Sequence, residues 1–434
     1  MRSQKRHPGL LDSPTVAKVV FVNRYFAPDQ SATSRMVSDL AFRLVERGLS
    51  VAVVTSRQLY ENPQAGLTPL ETCRGVVVHR VSTATRGRGS LAGRAMDYAS
   101  FHIAAARKLL QVLQAGDVVV AKTDPPLISI VVCAVARWRR AVLVNWLQDL
   151  FPEVAAALTP GLLPPWLQRA LRVLRDRSLR RAAVNIVLSN GMRDRLRARG
   201  IQDGRLRVVP NWSDTDSIQP LQPADSESRR RLGITDQFVV GYSGNFGRAH
   251  EFQTLLGAAR RLQTDPRFVF LMTGGGAKAG DLQQAVDRER LGNFIFQDFQ
   301  PVEMLSDSLA AADIHLVSLL PAMEGLIVPS KLYGIFAAGR PAVFIGEPGG
   351  DIPATLRANS CGICIPIGNS ELLASELVSL CEAPQRVAAM GKAARRLALE
   401  CYTSEHAVRD WLSLLAAVAP ATVRRTEHTL EYAR

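Results

Sequence analysis

What the chain lacks bounds it first. It has six cysteines in 434 residues: Cys73, Cys133, Cys361, Cys364, Cys381 and Cys401. They are too scattered for a disulfide framework and fit a reducing cytoplasm. No apolar run reaches the roughly 20 residues that cross a bilayer. The longest, residues 127–136, is broken by Ser129 and ended by Arg137, Arg139 and Arg140. Residues 1–17 are polar and basic but open onto no apolar core, so they are expected to be a disordered leader, not a secretory signal. No DxD-type cluster suited to a divalent ion stands near a candidate site. Asp214 and Asp216 have the spacing, but they lie in a connecting stretch. His79, His102 and His315 show no ligand spacing and read as structural. Cys361 and Cys364 form a CGIC inside a strand-like segment without a second pair, so a metal or redox role is not expected. Aromatics make up only 6% and no nucleic-acid recognition motif is present, which argues against a nucleic-acid partner.

What is present fits a folded chain of two domains. It is 47% apolar and 21% charged, and its length exceeds one ordinary domain. The net charge of +14 is lopsided: residues 1–220 carry 32 Lys/Arg against 16 Asp/Glu, and the rest 21 against 23. A basic first half points to an anionic partner such as an acidic membrane surface.

Short apolar strands alternate with helical patterns in both halves, the mark of doubly wound α/β domains with parallel sheets. Strands are predicted at 18–23, 50–55, 75–81, 117–121, 141–146, 183–188 and 206–209, then at 238–243, 268–273, 293–296, 314–318, 341–345 and 362–365. Helices are predicted at 32–47, 251–262, 277–290, 305–312 and 331–338. Residues 210–236 hold three prolines and many Ser, Asp and Gln, and read as a connection. The expected plan is a leader (1–17), an N-terminal acceptor- and membrane-facing domain (18–212), a linker (213–236) and a C-terminal donor domain (237–400). A C-terminal helix (401–419) packing back toward the first domain and a tail (420–434) complete it. In such sheets ligands sit at the carboxyl ends of the strands.

Three glycine- or lysine-bearing loops carry candidate chemistry. GYSGNFGR (241–248) joins a strand to a helix. Its glycines would let backbone N–H groups approach a phosphate, with Arg248 as a fixed cation. TGGGAK (273–278) repeats the arrangement with Gly274 and Gly275 but lacks P-loop spacing. Either pattern also fits a tight strand-to-helix turn. EGLIVPSKLYGIFAAGRP (324–341) is the most specific. Pro329 and Ser330 mark a helix start, and Lys331 stands in its first turn, where a cation opposes the helix dipole. That placement becomes sensible if an anion such as a diphosphate sits there too. Glu324 is suited to accept hydrogen bonds from sugar hydroxyls. A capped surface helix is the plainer reading.

With RYFAPDQSATSRM after the first strand, QDLFPE at 148–153, VVPNW at 208–212, SGNFG, VPSKLYGIFAAGRP and GGDIP in order over residues 18–415, the chain resembles the retaining GT-B glycosyltransferases of family 4. It is most similar to the bacterial subgroup of O-antigen, colanic-acid and other exopolysaccharide synthesis. The resemblance implies two Rossmann-like domains facing across a cleft, with the donor held mainly by the second. It places Gly244, Asn245, Arg248, Ser330 and Lys331 near the donor diphosphate and Glu324 at the donor sugar. The family's second glutamate falls on Gly334, so Asp351 in GGDIP is the candidate substitute for ribose binding. The usual catalytic histidine is missing after residues 142–146. Asp149, with Glu153 behind it, is the candidate group at the donor sugar or acceptor hydroxyl, with a helix N-cap as the alternative. The implied reaction is metal-independent transfer with retention. No cofactor is expected beyond the nucleotide-sugar substrate, UDP-linked in preference to GDP-linked. The implied acceptor is a polyprenyl-diphosphate-linked saccharide.

Residues 162–181 (LLPPWLQRALRVLRDRSLRR) carry six arginines and one aspartate with apolar positions at helical spacing. Trp166, Arg169, Arg172 and Arg175 are candidate contacts to acceptor or anionic lipid, and Arg86, Arg88 and Arg94 extend the basic surface. A core helix with a solvated face is the plain alternative. The expected place is the cytoplasm, peripheral on the inner membrane face. Competing readings are a nucleotide-sugar epimerase or phosphorylase on the same scaffold, and an inactive transferase-like scaffold, encouraged by Gly334 and the missing histidine.

Overall fold

The structure, a computed structural model, describes residues 17–87 and 90–419. The leader up to residue 16, Arg88 and the tail from residue 420 lie outside the described residues. The chain forms two compact units, one reaching Val144 and resuming at Trp411, the other running Asn145–Asp410.

In the first unit the elements run β1 (Val19–Val22), α1 (Ala32–Glu46), β2 (Val51–Ser56), β3 (Leu70–Cys73), β4 (Val76–Val81), α2 (Leu91–Val112), β5 (Val118–Lys122) and α3 (Ile128–Arg139). The strand order is β3-β4-β2-β1-β5. β1 pairs parallel with β2 and β5, β2 pairs parallel with β4, and β3 runs antiparallel to β4 at the edge. β1 and β5 are buried along their whole length, which is why they read as continuous apolar runs. β3 (LETC) has no buried residue. It gave no apolar signal and was not predicted. α2 starts where the Ser90 hydroxyl accepts the Gly93 N–H at 2.9 Å.

β6 (Val142–Trp146) carries the chain across the division. The second unit continues with α4 (Glu153–Leu158), α5 (Pro165–Arg181), β7 (Val184–Val187), α6 (Asn190–Ala198), β8 (Leu206–Val208), α7 (Glu227–Arg231), β9 (Phe238–Ser243) and α8 (Gln253–Arg261). Next come β10 (Phe268–Thr273), α9 (Ala279–Glu289), β11 (Phe294–Gln297), α10 (Leu305–Ala310), β12 (Ile314–Ser318), α11 (Lys331–Ala337), β13 (Ala342–Ile345) and α12 (Asp351–Asn359). β14 (Gly362–Ile365), α13 (Ser370–Cys381), α14 (Pro384–Cys401) and α15 (Ser404–Val418) complete the order, α15 running past the unit's end at Asp410. A six-stranded sheet has the order β11-β10-β9-β12-β13-β14, and every pair is parallel. Order reverses between β9 and β12, so a crevice opens there at the carboxyl edge. Phe270, Met272, Leu316 and Phe336, all 1% exposed or less, lie in the cores behind it.

The connection is pinned along its length. Arg395 Nη1 donates to Ile218 O at 2.9 Å and Ala337 O at 2.6 Å. The Asp307 carboxylate accepts the Glu227 and Ser228 N–H groups at 2.6 and 2.9 Å, capping α7. The polar composition that signalled a loop satisfies its backbone against α10 and α14. Asp214 is occupied in the same way, taking the Asp216 and Ser217 N–H groups at 3.1 Å.

Candidate active site

The site is built on the carboxyl edge of the six-stranded sheet. β9 leads into Gly244 (φ +123°), a backbone that L side chains rarely adopt. The following loop interlocks with the one after β10. The Gly244 N–H donates to Thr273 O at 2.9 Å, Phe246 N–H to Gly275 O at 2.8 Å, and Lys278 N–H to Phe246 O at 2.9 Å. A Cβ on Gly274 would stand 2.1 Å from Gly244 O, and one on Gly276 2.2 Å from Asn245 Oδ1. The TGGGAK glycines are therefore there so that one loop can lie against the other. Lys278, the residue that gave this loop its phosphate-loop look, donates its Nζ to His250 O at 2.7 Å.

Lys331 crosses above this pair of loops. Its Nζ sits 3.4 Å from the centroid of the Tyr242 ring and 3.5 Å from Asn245 O. A Cβ on Gly244 would be 3.7 Å from that nitrogen. The ammonium has no carboxylate partner among the described residues. Burial holds it well below the usual lysine range. The Tyr242 π face is a partial counter-charge worth about 0.5–2 kcal/mol. Ser330 is exposed at the N-cap position, and its side chain makes no cap hydrogen bond. Arg248 and Asn245 are exposed on the β9 loop.

His250 gave no signal in the sequence. Its Nδ1 lies 2.5 Å from Ser318 O. A carbonyl only accepts, so Nδ1 carries the proton. Burial first, then the charge of Lys331, pushes its pKa down to about 4, so the ring is neutral near pH 7. With Leu320 N–H on Ala249 O at 2.9 Å, it ties the β9 loop to the end of β12.

After β12 the chain turns through Glu324, which is half-buried. Its Oε1 accepts the Asp351 N–H at 3.1 Å, and a Cβ on Gly350 would come within 2.5 Å of its Cδ. Glu324 thus lies against the start of α12. Burial raises its carboxyl pKa, while the Asp351 N–H and the charge of Arg195 pull it down. Asp351, the residue considered for ribose, directs Oδ2 at the Gly191 N–H at 2.7 Å, in the first turn of α6. Gly325 has φ +66°, and a Cβ there would meet Arg195 Nε at 2.8 Å and Gly191 O at 3.0 Å. Asp149 is brought to the same loop. It forms an isolated antiparallel bridge with Ile327, and the Leu150 N–H donates to Leu326 O at 3.0 Å. It does not cap α4, whose N-cap is Pro152. At Gly334 a Cβ would meet only Leu309 Cδ1, at 3.9 Å. A first side-chain carbon therefore has room at this position.

The candidate lipid-facing residues of α5 divide. Trp166 is 70% exposed and Arg169 is exposed, with Val173 and Leu174 exposed beside them. Arg172 is half-buried, its Nε 3.3 Å from Gln168 O. Arg175 was expected at the surface. It is 3% exposed, paired with Glu153 at 2.8 Å and Asp176 at 2.7 Å. Asp176 in turn binds Arg199 at 2.6 Å. A charge buried in such a network is kept by its partners, and Arg175 holds α5 in place.

Among the described residues no group of three or more His, Cys, Asp or Glu is placed to hold a metal ion. No described helix is long and apolar enough to cross a membrane. Burial raises the thiol pKa of Cys361 to about 11 and that of Cys364 above the usual value, so neither is a ready thiolate.

Comparison with known proteins agrees with this geometry. The family model "Glycosyl transferase 4-like domain" matches residues 31–212, and "Glycosyl transferases group 1" matches residues 237–383. WcaI of Escherichia coli (strain K12), described as a colanic acid biosynthesis glycosyl transferase, is 29% identical over 162 residues. That match spans 37% of this chain and only 40% of WcaI. The Pseudomonas aeruginosa glycosyltransferase WbjE is 25% identical over 281 residues, 63% of this chain and 68% of that protein. Sucrose-phosphate synthase from Thermosynechococcus elongatus shares the fold with a TM-score of 0.73 at 16% identity, over 93% of this chain and all of that one. Anabaena HepE in complex with UDP-glucose gives 0.68 at 17%, over 92% and 99%. WaaG, a glycosyltransferase of lipopolysaccharide biosynthesis, gives 0.67 at 17%, over 90% and 99%. Two parallel-sheet α/β domains and both family matches carry one conclusion: the chain belongs to the family 4 glycosyltransferases of GT-B fold.

Proposed function

We propose that this chain moves a sugar from a nucleotide-sugar, UDP-linked in preference to GDP-linked, onto a lipid-linked saccharide during surface polysaccharide synthesis. The transfer retains anomeric configuration and uses no metal. The observation that carries this reading is Lys331: a half-buried ammonium over the Tyr242 ring, beside Gly244, with no carboxylate against it among the described residues. A diphosphate is the counter-ion such a site wants. The UDP and UDP-glucose complexes of HepE support the choice of nucleotide.

In this reading Lys331, with Arg248 from the β9 loop, meets the charge that grows on the diphosphate as its bond to the anomeric carbon breaks. Preorganised charge in a water-poor site is usually the largest catalytic contribution. Glu324 accepts hydrogen bonds from the donor sugar's hydroxyls. Asp149 faces the sugar or the incoming acceptor hydroxyl, whose oxygen forms the new bond on the face the diphosphate leaves and whose proton passes to the departing diphosphate oxygen. Asp351 orients the loop through Gly191 and offers its remaining oxygen toward the ribose. The exposed face of α5, with Trp166 and Arg169, rests on anionic lipid at the cytoplasmic side of the membrane.

The test is thermal stabilisation of the purified chain by UDP, GDP, ADP, CMP and NAD. Ligands that bind only the native state raise the melting temperature, and the largest rise is expected with UDP. A folded protein shifted by none of them would remove the donor site. Product analysis by anomeric coupling then decides retention.

A further inference from the structure

A helix that lies on a sheet turns apolar residues inward and polar ones to solvent. α2 (Leu91–Val112) does the first: Phe101, Ala105 and Leu109 are fully buried. It does not do the second. Met96, Ile103 and Leu110 are 50%, 54% and 41% exposed. Ala92 and Ala99 are exposed, and Ala106 is half-buried. These residues recur at alternating steps of four and three, which draws one straight stripe along a helix. Asp97 is buried, Arg94 and Lys108 are half-buried, and Arg107 is an exposed cation at the margin of the stripe.

Size alternates along the stripe as strictly as spacing does. Alanine stands at 92, 99 and 106, and a large side chain at 96, 103 and 110. Laid antiparallel on a second copy of itself, with the two-fold axis at residue 101, the stripe matches layer by layer. Ala92 meets Leu110, Met96 meets Ala106, and Ala99 meets Ile103, so every large side chain faces a gap. Layers of small against large let two helices close to about 8–10 Å between axes. A parallel copy would set alanine on alanine and large on large, with voids beside clashes. Charge agrees with the antiparallel register. Arg107 falls opposite Ala95 of the partner subunit, so the two Arg107 side chains stand about 18 Å apart along the axis. That exceeds the Debye length of roughly 8–10 Å.

Area sets the strength. The 22 residues of α2 make a helix about 33 Å long and 10–12 Å across, so the stripe offers on the order of 350 Å² in plan on each copy. Trp138, 79% exposed on α3, widens it: the neighbouring Arg139 donates Nε to Leu113 O at 2.7 Å, at the end of α2. The strip stays under the roughly 800 Å² per partner of a standard interface, which fits a reversible dimer. Lipid suits the stripe less well. Acyl chains have no register, so alternate alanines gain nothing from them, and α2 shows one exposed cation among its described residues.

We propose that the outer face of α2 is a homodimer surface, on which a second copy of this chain packs its own α2 antiparallel about residue 101. Such a contact is isologous and closes at two copies.

The experiment is sedimentation velocity of the full chain over about 1–100 µM, the range for interfaces at the small end of the scale. The samples are wild type, I103E, A99K, and the two variants mixed. The wild type is expected to pass from monomer to dimer as concentration rises. I103E and A99K each place unpaired charges in the seam, so association should weaken by roughly 10-fold or more. The mixture is expected to dimerise again, because position 99 of one copy faces position 103 of the other and lysine meets glutamate. Both positions are exposed in a single copy, so melting temperatures of dilute protein should match. A wild-type chain that is monomeric throughout overturns the proposal; if I103E then also loses binding to phosphatidylserine vesicles, the stripe belongs to lipid. I103E that dimerises like the wild type moves the contact off α2, and a mixture that stays monomeric refutes the register.

Discussion

Replacing Lys331 by methionine should separate stability from function. Methionine keeps the length and most of the volume of the side chain, so packing over Tyr242 survives. The ammonium is lost, and with it the desolvation that depresses its pKa. A charge-assisted hydrogen bond is worth about 1.5–3 kcal/mol, so UDP affinity should fall roughly 10- to 100-fold by the 1.36 kcal/mol per decade relation. Turnover should fall by about 10²–10³, as on losing one preorganised donor. Stability should not fall. Removing a poorly solvated cation offsets loss of the cation–π contact, worth about 0.5–2 kcal/mol. The pH dependence has a defined sign. The folded pKa lies below the unfolded one, so wild-type stability rises with pH in the window between them. The gap between K331M and wild type should be largest below the folded pKa and close above it. Diphosphate binding by the wild type should weaken over the same rise, as the ammonium is neutralised. Melting curves and UDP titrations across pH measure all of this. A K331M protein that is destabilised at every pH, or binds UDP like the wild type, refutes the assignment.

Other substitutions probe the frame around this lysine. G274A forces a Cβ to within 2.1 Å of Gly244 O at φ +130°; it should cost on the order of 1–3 kcal/mol of stability and weaken UDP as the two loops separate. An unshifted melting temperature would show that the loops do not interlock. G334A has room for its methyl group and should stabilise the chain by about 0.5–1 kcal/mol, with UDP binding unchanged; a loss of affinity would mean that the glycine itself serves the donor. W166E, at a position 70% exposed, should reduce co-sedimentation with phosphatidylserine vesicles and leave UDP affinity and melting temperature intact. Undiminished sedimentation would take α5 out of the membrane contact.

Much of this protein was written locally. Strands buried on both faces are continuous apolar runs, so β9, β10, β12 and β14 fall on the predicted residues. Helix boundaries followed from glycines and polar caps to within a residue or two. PSK, SGNFG and GGDIP marked loops that the fold brings to the carboxyl edge of one sheet, because glycine and a helix-start lysine are chosen for backbone geometry and charge, which sequence displays directly. Partnership was hidden. TGGGAK has the composition of a phosphate loop, yet its glycines serve a neighbouring loop 30 residues away in the chain. Asp351 looked wholly free in the sequence, and one of its carboxylate oxygens already accepts the N–H of Gly191, 160 residues earlier. Arg175 shares a helix and a charge with Arg169, and only burial beside Glu153 and Asp176 distinguishes them. His250 carries no local pattern at all. Its role depends on which strand ends the fold sets side by side. The elements and the family could be read along the chain, since these depend on periodicity, backbone freedom and charge in sequence order. Which polar groups are already satisfied, and which still wait for a substrate, was decided by the tertiary structure, because hydrogen-bond partners and desolvation come from distant segments brought to one edge.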